Sequence, residues 1–336
     1  MSRTPLNIII ESKVPYLRGV LEPYARVRYL APEDITPEAV RDADALIVRT
    51  RTRCDSGLLG GSRVSFVGTA TIGTDHIDLD WCEARGISVV NAPGCNAPAV
   101  AQYVLGSVLS LADRPLAEYT LGVVGVGHVG SIVARWARGL GMSVLECDPP
   151  RAAAEGGDFW ASAEDIARRA DIITFHAPLT SETRHMADAR FFDLCRRAPI
   201  VINSARGPVV DTRALIEALE QGRVSRAVID CWEGEPEIST RLLDLVSVGT
   251  PHIAGYSAEG KLRASQAVLD ALTRNFGLPT LRADAPLDAP EPPATVSAED
   301  VRASFDPAPL TGALKASPGT FETQRNSYPL RHEVLG

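Results

Sequence analysis

Residues 121–130 read LGVVGVGHVG. A short β-branched run, Leu121 to Val124, meets Gly125, Gly127 and Gly130 at the spacing G-x-G-x-x-G, and a helical pattern follows over 129–140. That order predicts a strand, a tight turn and a helix. Gly125 permits the turn, Gly127 lets a pyrophosphate approach bare backbone, and Gly130 lets helix and strand pack closely. His128 and Val129 occupy the rest of the loop, where the first helical turn offers free N–H groups and the positive end of the helix dipole. Asp148 lies eighteen residues past Gly130, at the end of the next apolar run. A carboxylate there accepts hydrogen bonds from ribose hydroxyls and repels a 2′-phosphate, so the expected cofactor is NAD. Arg151, in DPPR (148–151), is the one local argument for NADP.

The same alternation fills most of the chain. Downstream apolar runs stand at 143–147, 171–175, 199–203, 226–230 and 245–249, which with 121–126 predict a six-stranded doubly wound sheet. Upstream, LNIII (6–10), VRYL (27–30), ALIVR (45–49), VSFVG (64–68) and ISVVN (87–91) predict a second parallel sheet. Two long helices, from Ala97 to about Ala112 and from Ser257 to about Phe276, join the units. The expected fold class is therefore α/β, with two doubly wound parallel-sheet domains: a flavodoxin-like substrate domain and a Rossmann NAD domain. The substrate domain is discontinuous, 1–96 and 257–282, and the NAD domain spans 97–256. Residues 283–298 have linker composition with four prolines, and 299–336 carry a weak helical signal. Together 283–336 read as a linker and a short C-terminal segment.

Composition narrows the partners. The 336 residues carry a net charge of −8, which invites neither nucleic acid nor an anionic membrane. No segment reaches membrane-spanning length, and the apolar stretch at the N-terminus is too short for a signal peptide. Six cysteines (54, 82, 95, 147, 195, 231) are scattered without a metal-ligand spacing, which favours reduced thiols in the cytoplasm and no metal site.

Three further motifs follow the glycine loop. VINSARGPVVD (201–211) presents Arg206 in a tight turn after a strand, where a guanidinium can clamp a carboxylate through two parallel hydrogen bonds. Capping of the following helix is the plainer role for it. DCWEGEPE (230–237) places Glu233, Glu235 and Glu237 after a strand, and GTPHIAGYS (249–257) places His252 after the next. If those strands are neighbours, a glutamate and a histidine meet at the carboxyl edge, where ligands sit in open α/β sheets. His76, His128, His176, His185 and His332 have no comparable acid partner in sequence order and read as structural or incidental.

The order of FHAPLTSET (175–183), SARG (204–207), EGEPE (233–237) and PHIAG (251–255) resembles the D-isomer-specific 2-hydroxyacid dehydrogenase family. GTATIGTDHID (68–78), NAPGCNAPAVAQYV (91–104) and DCWEGEPEISTRLL (230–243) are similar to members of it that act on a phosphorylated four-carbon 2-hydroxy acid. The resemblance covers about residues 5–280. It implies Arg206, Glu235 and His252 as the catalytic set: Arg206 on the substrate carboxylate, His252 as base for the C2 hydroxyl, Glu235 orienting the ring. It implies Asp230, Ala177 and Gly255 at the cofactor, and Arg49, Thr50, Thr71 and Tyr256 at the substrate. For Arg51 and Arg53 a solvated loop is the plainer reading. The resemblance also implies a homodimer, with the short C-terminal segment as a reduced dimerisation element. Two alternatives stay open: a related dehydrogenase of glycerate or 3-phosphoglycerate, and a non-enzymatic NAD-sensing protein on the same fold.

Overall fold

The computed structural model describes residues 5–333; residues 1–4 and 334–336, at the outer ends of the expected domains, lie outside it. The chain divides into two compact units. Residues up to Asn96 combine with Ala258–Pro290, and Ala97–Ser257 combine with the chain from Glu291 onward.

In the first unit, strands β1 (Leu6–Glu11), β2 (Ala25–Leu30), β3 (Ala45–Val48), β4 (Phe66–Thr69) and β5 (Ser88–Val90) form a parallel sheet in the order β2-β1-β3-β4-β5. This is the flavodoxin-like order. Successive side chains on a strand point to opposite faces. Ile8 and Ile10 therefore pack with Val268, Leu269 and Leu272 of the helix Ala258–Phe276, whereas Ile9 packs with Leu46, Val48 and Val67 on the other face. Each fully buried aliphatic side chain of this kind contributes about 1.5–3 kcal/mol. At the carboxyl edge Glu11 is buried, and its carboxylate accepts from Arg49 N and from Thr52 Oγ1, each at 2.9 Å. That pair of bonds fixes the turn that carries Arg49 and Thr50.

The second unit holds β6 (Thr120–Val124), β7 (Ser143–Cys147), β8 (Ile172–Phe175), β9 (Ile200–Asn203), β10 (Arg226–Ile229) and β11 (Val248–Gly249). All pairings are parallel, in the order β11-β10-β9-β8-β6-β7, and Trp160 adds an isolated parallel bridge to Glu146 beyond β7. The direction of winding reverses between β6 and β8, so the glycine loop after β6 opens at the switch point, where such sheets bind ligands. One expected element differs. The run 245–249 is a strand only over Val248–Gly249, because Ser239 caps a helix over Thr240–Leu245 by accepting from Leu242 N at 3.2 Å.

The C-terminal segment departs most from expectation. Its helices Ala298–Ser304, Ala308–Ala316 and Phe321–Ser327 belong to the second unit. Val301 and Phe305 join the core around Tyr103 and Val108, and Leu314 and Phe321 join that around Leu242 and Leu243. Thr311 Oγ1 accepts from Gly249 N at 3.0 Å, so this segment also covers the edge strand β11. Few apolar residues, spread over short helices broken by Gly and Pro, leave little periodicity for a sequence pattern to register. Among the described residues no helix is long and apolar enough to cross a membrane.

Candidate active site

His252 follows β11 with φ at +56°. That left-handed backbone costs a non-glycine residue on the order of 1–3 kcal/mol and persists only where surroundings enforce it. Asp230, 1% exposed at the end of β10, does the enforcing. Its Oδ1 accepts from Thr250 Oγ1 at 2.6 Å and Ile253 N at 2.7 Å, and its Oδ2 from Ala254 N at 2.9 Å. His252 N donates to the Asp230 carbonyl at 2.9 Å. The aspartate that the family resemblance assigns to the cofactor thus holds the histidine turn. Burial pushes its carboxyl pKa up, against His252 and these donors.

Glu235 meets His252 as the strand order predicts. Its Oε2 lies 2.8 Å from His252 Nδ1, while its Oε1 accepts from Trp232 N at 2.6 Å. A carboxylate on Nδ1 keeps a proton there, so in the neutral ring Nε2 carries the basic lone pair. Burial opposes the charged ring, but the Cys231 sulfur and the Glu235 carboxylate outweigh it, and the His252 pKa stands well above 6.5.

Arg206 sits between β9 and a single turn at Gly207–Val209, and its Nη1 donates to the Ala205 carbonyl at 2.9 Å. Asn203 Nδ2 ties this turn to the glutamate loop by donating to the carbonyls of Arg206 at 3.0 Å and Cys231 at 3.2 Å. A Cβ added at Gly207 would lie 2.0 Å from the Trp232 carbonyl oxygen, so only glycine allows that contact. The arginine turn and the loop from Cys231 to Glu235 therefore hold one another.

The cofactor loop fits a dinucleotide. Gly125 has φ +86°, and a Cβ there would stand 2.5 Å from Ala177 N, which brings Ala177 against the loop. Around Gly127 a Cβ would find nothing within 4 Å. His128 is exposed and opens the helix His128–Gly139, with Gly130 buried and Val129 packed on the core. Gly127 caps that helix without a side-chain bond, leaving first-turn N–H groups for an anion. Asp148 Oδ2 accepts from Val126 N at 2.8 Å and Oδ1 from Arg151 N at 3.1 Å, which leaves each oxygen a further lone pair. Arg151 is engaged by Glu155 at 2.7 Å and by the Val126 carbonyl at 2.6 Å, so it is not held in reserve for a phosphate. Gly255 and Tyr256 complete the turn after His252, with Tyr256 N bonded to the Ile253 carbonyl at 2.8 Å.

In the first unit, Arg49 is half-buried and Thr50 exposed, both just past β3, and Thr71 lies just past β4. Thr71 Oγ1 shares a hydrogen bond with Thr69 Oγ1 at 2.6 Å. Arg53 pairs with Asp55 at the surface, as a solvated loop requires.

Several residues escaped the sequence patterns. Burial, then Arg49 and Lys13, push the Lys261 pKa down to about 8, so three cations share one region of the first unit. Arg325, from the C-terminal segment, hydrogen-bonds Tyr256 and interacts with Glu235. Arg331 Nη2 donates to the Ala99 carbonyl at 2.8 Å and also reaches the Ala254 carbonyl. His185, read as incidental, does have an acid partner: its Nε2 lies 2.7 Å from Glu233 Oε1, which also accepts Thr212 N through Oε2. No motif spacing announces pairs so far apart along the chain.

Comparison with known proteins agrees with this geometry. Residues 106–254 match the model of the D-isomer specific 2-hydroxyacid dehydrogenase NAD binding domain. Erythronate-4-phosphate dehydrogenase of Bacteroides fragilis is 47% identical, covering 98% of this chain and 97% of that protein. That of Bacteroides thetaiotaomicron is 48% identical with the same coverage. The solved structure of D-lactate dehydrogenase from Aquifex aeolicus, complexed with NAD and lactic acid, is 26% identical with a TM-score of 0.68, over 81% of this chain and 96% of that one.

Proposed function

Because this chain belongs to the D-isomer-specific 2-hydroxyacid dehydrogenase family, alongside erythronate-4-phosphate dehydrogenases that match nearly its whole length, we propose that it oxidises 4-phospho-D-erythronate. The product is 3-hydroxy-2-oxo-4-phosphooxybutanoate, on the route to pyridoxal 5′-phosphate. The observation that carries this reading is the 2.8 Å bond between His252 Nδ1 and Glu235 Oε2, at the carboxyl edge of the sheet that also bears the glycine loop.

Bound NAD supplies the acceptor for the hydride that leaves C2. Gly125, Gly127, His128, Val129 and Gly130 would cradle its pyrophosphate, with Asp148 on the adenosine ribose and Ala177, Asp230 and Gly255 near the nicotinamide end. The chain's own residues do the rest. Arg206 offers its fork to the substrate carboxylate, fixing C2 and polarising it. His252 Nε2 takes the C2 hydroxyl proton as the alcohol is oxidised. Glu235 holds the ring in the tautomer that leaves Nε2 basic and stabilises the imidazolium once formed. Arg49, Thr50 and Thr71, with Tyr256, are assigned to the substrate, the arginine to its phosphate. A homodimer in the cytoplasm completes the reading, and the free state of all six cysteines fits a reducing compartment.

The test is NADH formation across a panel of 2-hydroxy acids with and without a terminal phosphate. Erythronate 4-phosphate should far exceed erythronate, glycerate and 3-phosphoglycerate. His252→Asn retains a residue tolerant of left-handed backbone and should lower turnover by about 100-fold or more, the scale of general acid–base catalysis. Preference for glycerate or 3-phosphoglycerate would replace the substrate but keep the chemistry.

A further inference from the structure

Cys231, Glu235 and His252 bring a sulfur, a carboxylate oxygen and a ring nitrogen within 4.8 Å of one another. The spacing of the three in sequence matches no metal motif, and the convergence arises because β10 and β11 are neighbours. We propose that this trio is an inhibitory binding site for a borderline-soft divalent cation of the Zn²⁺ class.

The donor set is the first support. Thiolate, imidazole and carboxylate are the three side-chain ligands zinc takes, and three protein ligands with one open position make a complete site. Side-chain exposure is the second. Cys231 is 1% exposed and fixed at the end of β10, whereas the Glu235 and His252 side chains are 19% and 28% exposed. Bonds of about 2.0–2.3 Å in a tetrahedron set ligands roughly 3.3–3.7 Å apart. The 2.8 Å histidine–glutamate pair must therefore open by roughly half an ångström or more, which a partly exposed carboxylate on a loop can do.

The consequence for the base follows from proton positions. The imidazolium carries protons on Nδ1 and Nε2. A cation bound at Nδ1 displaces that proton and leaves the other on Nε2, while Cys231 loses its thiol proton. The displaced protons pass to solvent, and the lone pair that would receive the substrate proton is gone. Inhibition rests on the proposed role of His252, but occupancy of the site does not.

The experiment uses the full chain. Zn²⁺ should inhibit NADH formation, a chelator should restore it, and Mg²⁺, a hard cation that prefers oxygen, should have no such effect. Cys231→Ala should raise the half-inhibitory Zn²⁺ concentration by about tenfold or more, the scale of losing a metal-site partner. Cys231→Val, which keeps an apolar side chain of similar bulk, serves if the alanine variant folds poorly. Independently of activity, Co²⁺ added to the unmodified protein should give thiolate-to-cobalt charge-transfer absorption that Cys231→Ala lacks. Equal Zn²⁺ sensitivity in the cysteine variants, or Co²⁺ binding without that absorption, would overturn the site. A protein that shows the cobalt signal but oxidises no hydroxy acid would overturn the proposed function and leave the site standing.

Discussion

Arg331 Nη1 donates to the Tyr256 carbonyl at 3.3 Å, so the C-terminal segment holds the turn that carries His252. The same guanidinium bonds the Ile253 carbonyl at 3.3 Å and stands 4.3 Å over the ring of Phe305. Ser257 Oγ donates to Glu333 at 2.6 Å beside it. Arg331→Ala should therefore cost about 1.5–3 kcal/mol, the scale of hydrogen bonds made by a charged group. Chemical denaturation would read the loss, and hydrogen exchange should quicken at 253–257 before it does elsewhere. Uniform exchange across the second unit would make Arg331 a general brace.

The raised pKa of His252 has two pH consequences of opposite sense. As a base in hydroxy-acid oxidation the ring must lose its proton, so kcat/KM should climb with pH and level off well above 6.5. The ion pair with Glu235 acts on stability the other way. Its contribution is complete below the unfolded histidine value of 6.5 and is lost as pH rises through the higher folded value. Glu235→Gln should move the kinetic inflection to lower pH, because one of the groups that raise the ring's pKa is gone. A profile that stays in place would exclude Glu235 as the ring's partner.

Lys13, Arg49 and Lys261 share a region of the first unit, and a phosphate is the natural complement to that charge. Arg49→Ala and Lys261→Ala should each raise KM for erythronate 4-phosphate by a factor worth about 1.5–3 kcal/mol. KM for an unphosphorylated hydroxy acid should change far less. Since Lys261 loses its charge above about pH 8, phosphate-substrate affinity should weaken there, and that decline should vanish in Lys261→Ala. Equal losses for both substrates would make these cations structural.

Asp148 joins two duties that one substitution can separate. Its carboxylate caps the helix Pro149–Glu155 and anchors Val126 N in the glycine loop. Asp148→Ala should cost about 1 kcal/mol as a lost cap, weaken NAD binding, and narrow the preference over NADP because the repelling charge is removed. Titration of both cofactors and a thermal melt would measure all three. An unchanged ratio of the two affinities would leave Asp148 a cap and nothing more.

Much of this was legible in the sequence, for physical reasons that also mark the limits. Buried parallel strands need unbroken apolar runs, so Ile8–Ile10 and Ile200–Ile202 stand out in the chain. Gly125 and Gly130 stand out because backbone approach tolerates no side chain there, and Gly127 because the spacing leaves its bare backbone open to a ligand. His252 and Glu235 could be paired because adjacent parallel strands deliver their ends to one edge. Long-range polar contacts leave no such trace. Nothing near Arg331 or His185 names its partner, and Val301, Phe305, Leu314 and Phe321 are too sparse to declare a core. The split of 245–249 between helix and strand turns on the Ser239 hydroxyl, which apolar periodicity ignores.

The clamp on the histidine turn also orders events during synthesis. Residues 230–257 leave the ribosome well before residues 325–333, which hold them. A nascent chain can therefore complete both sheets and the glycine loop while Tyr256 and Ser257 still lack Arg331 and Glu333. The turn around His252, shaped first by Asp230, gains its outer hold only when the C-terminal segment emerges, so cofactor binding should precede full turnover competence on the growing polypeptide.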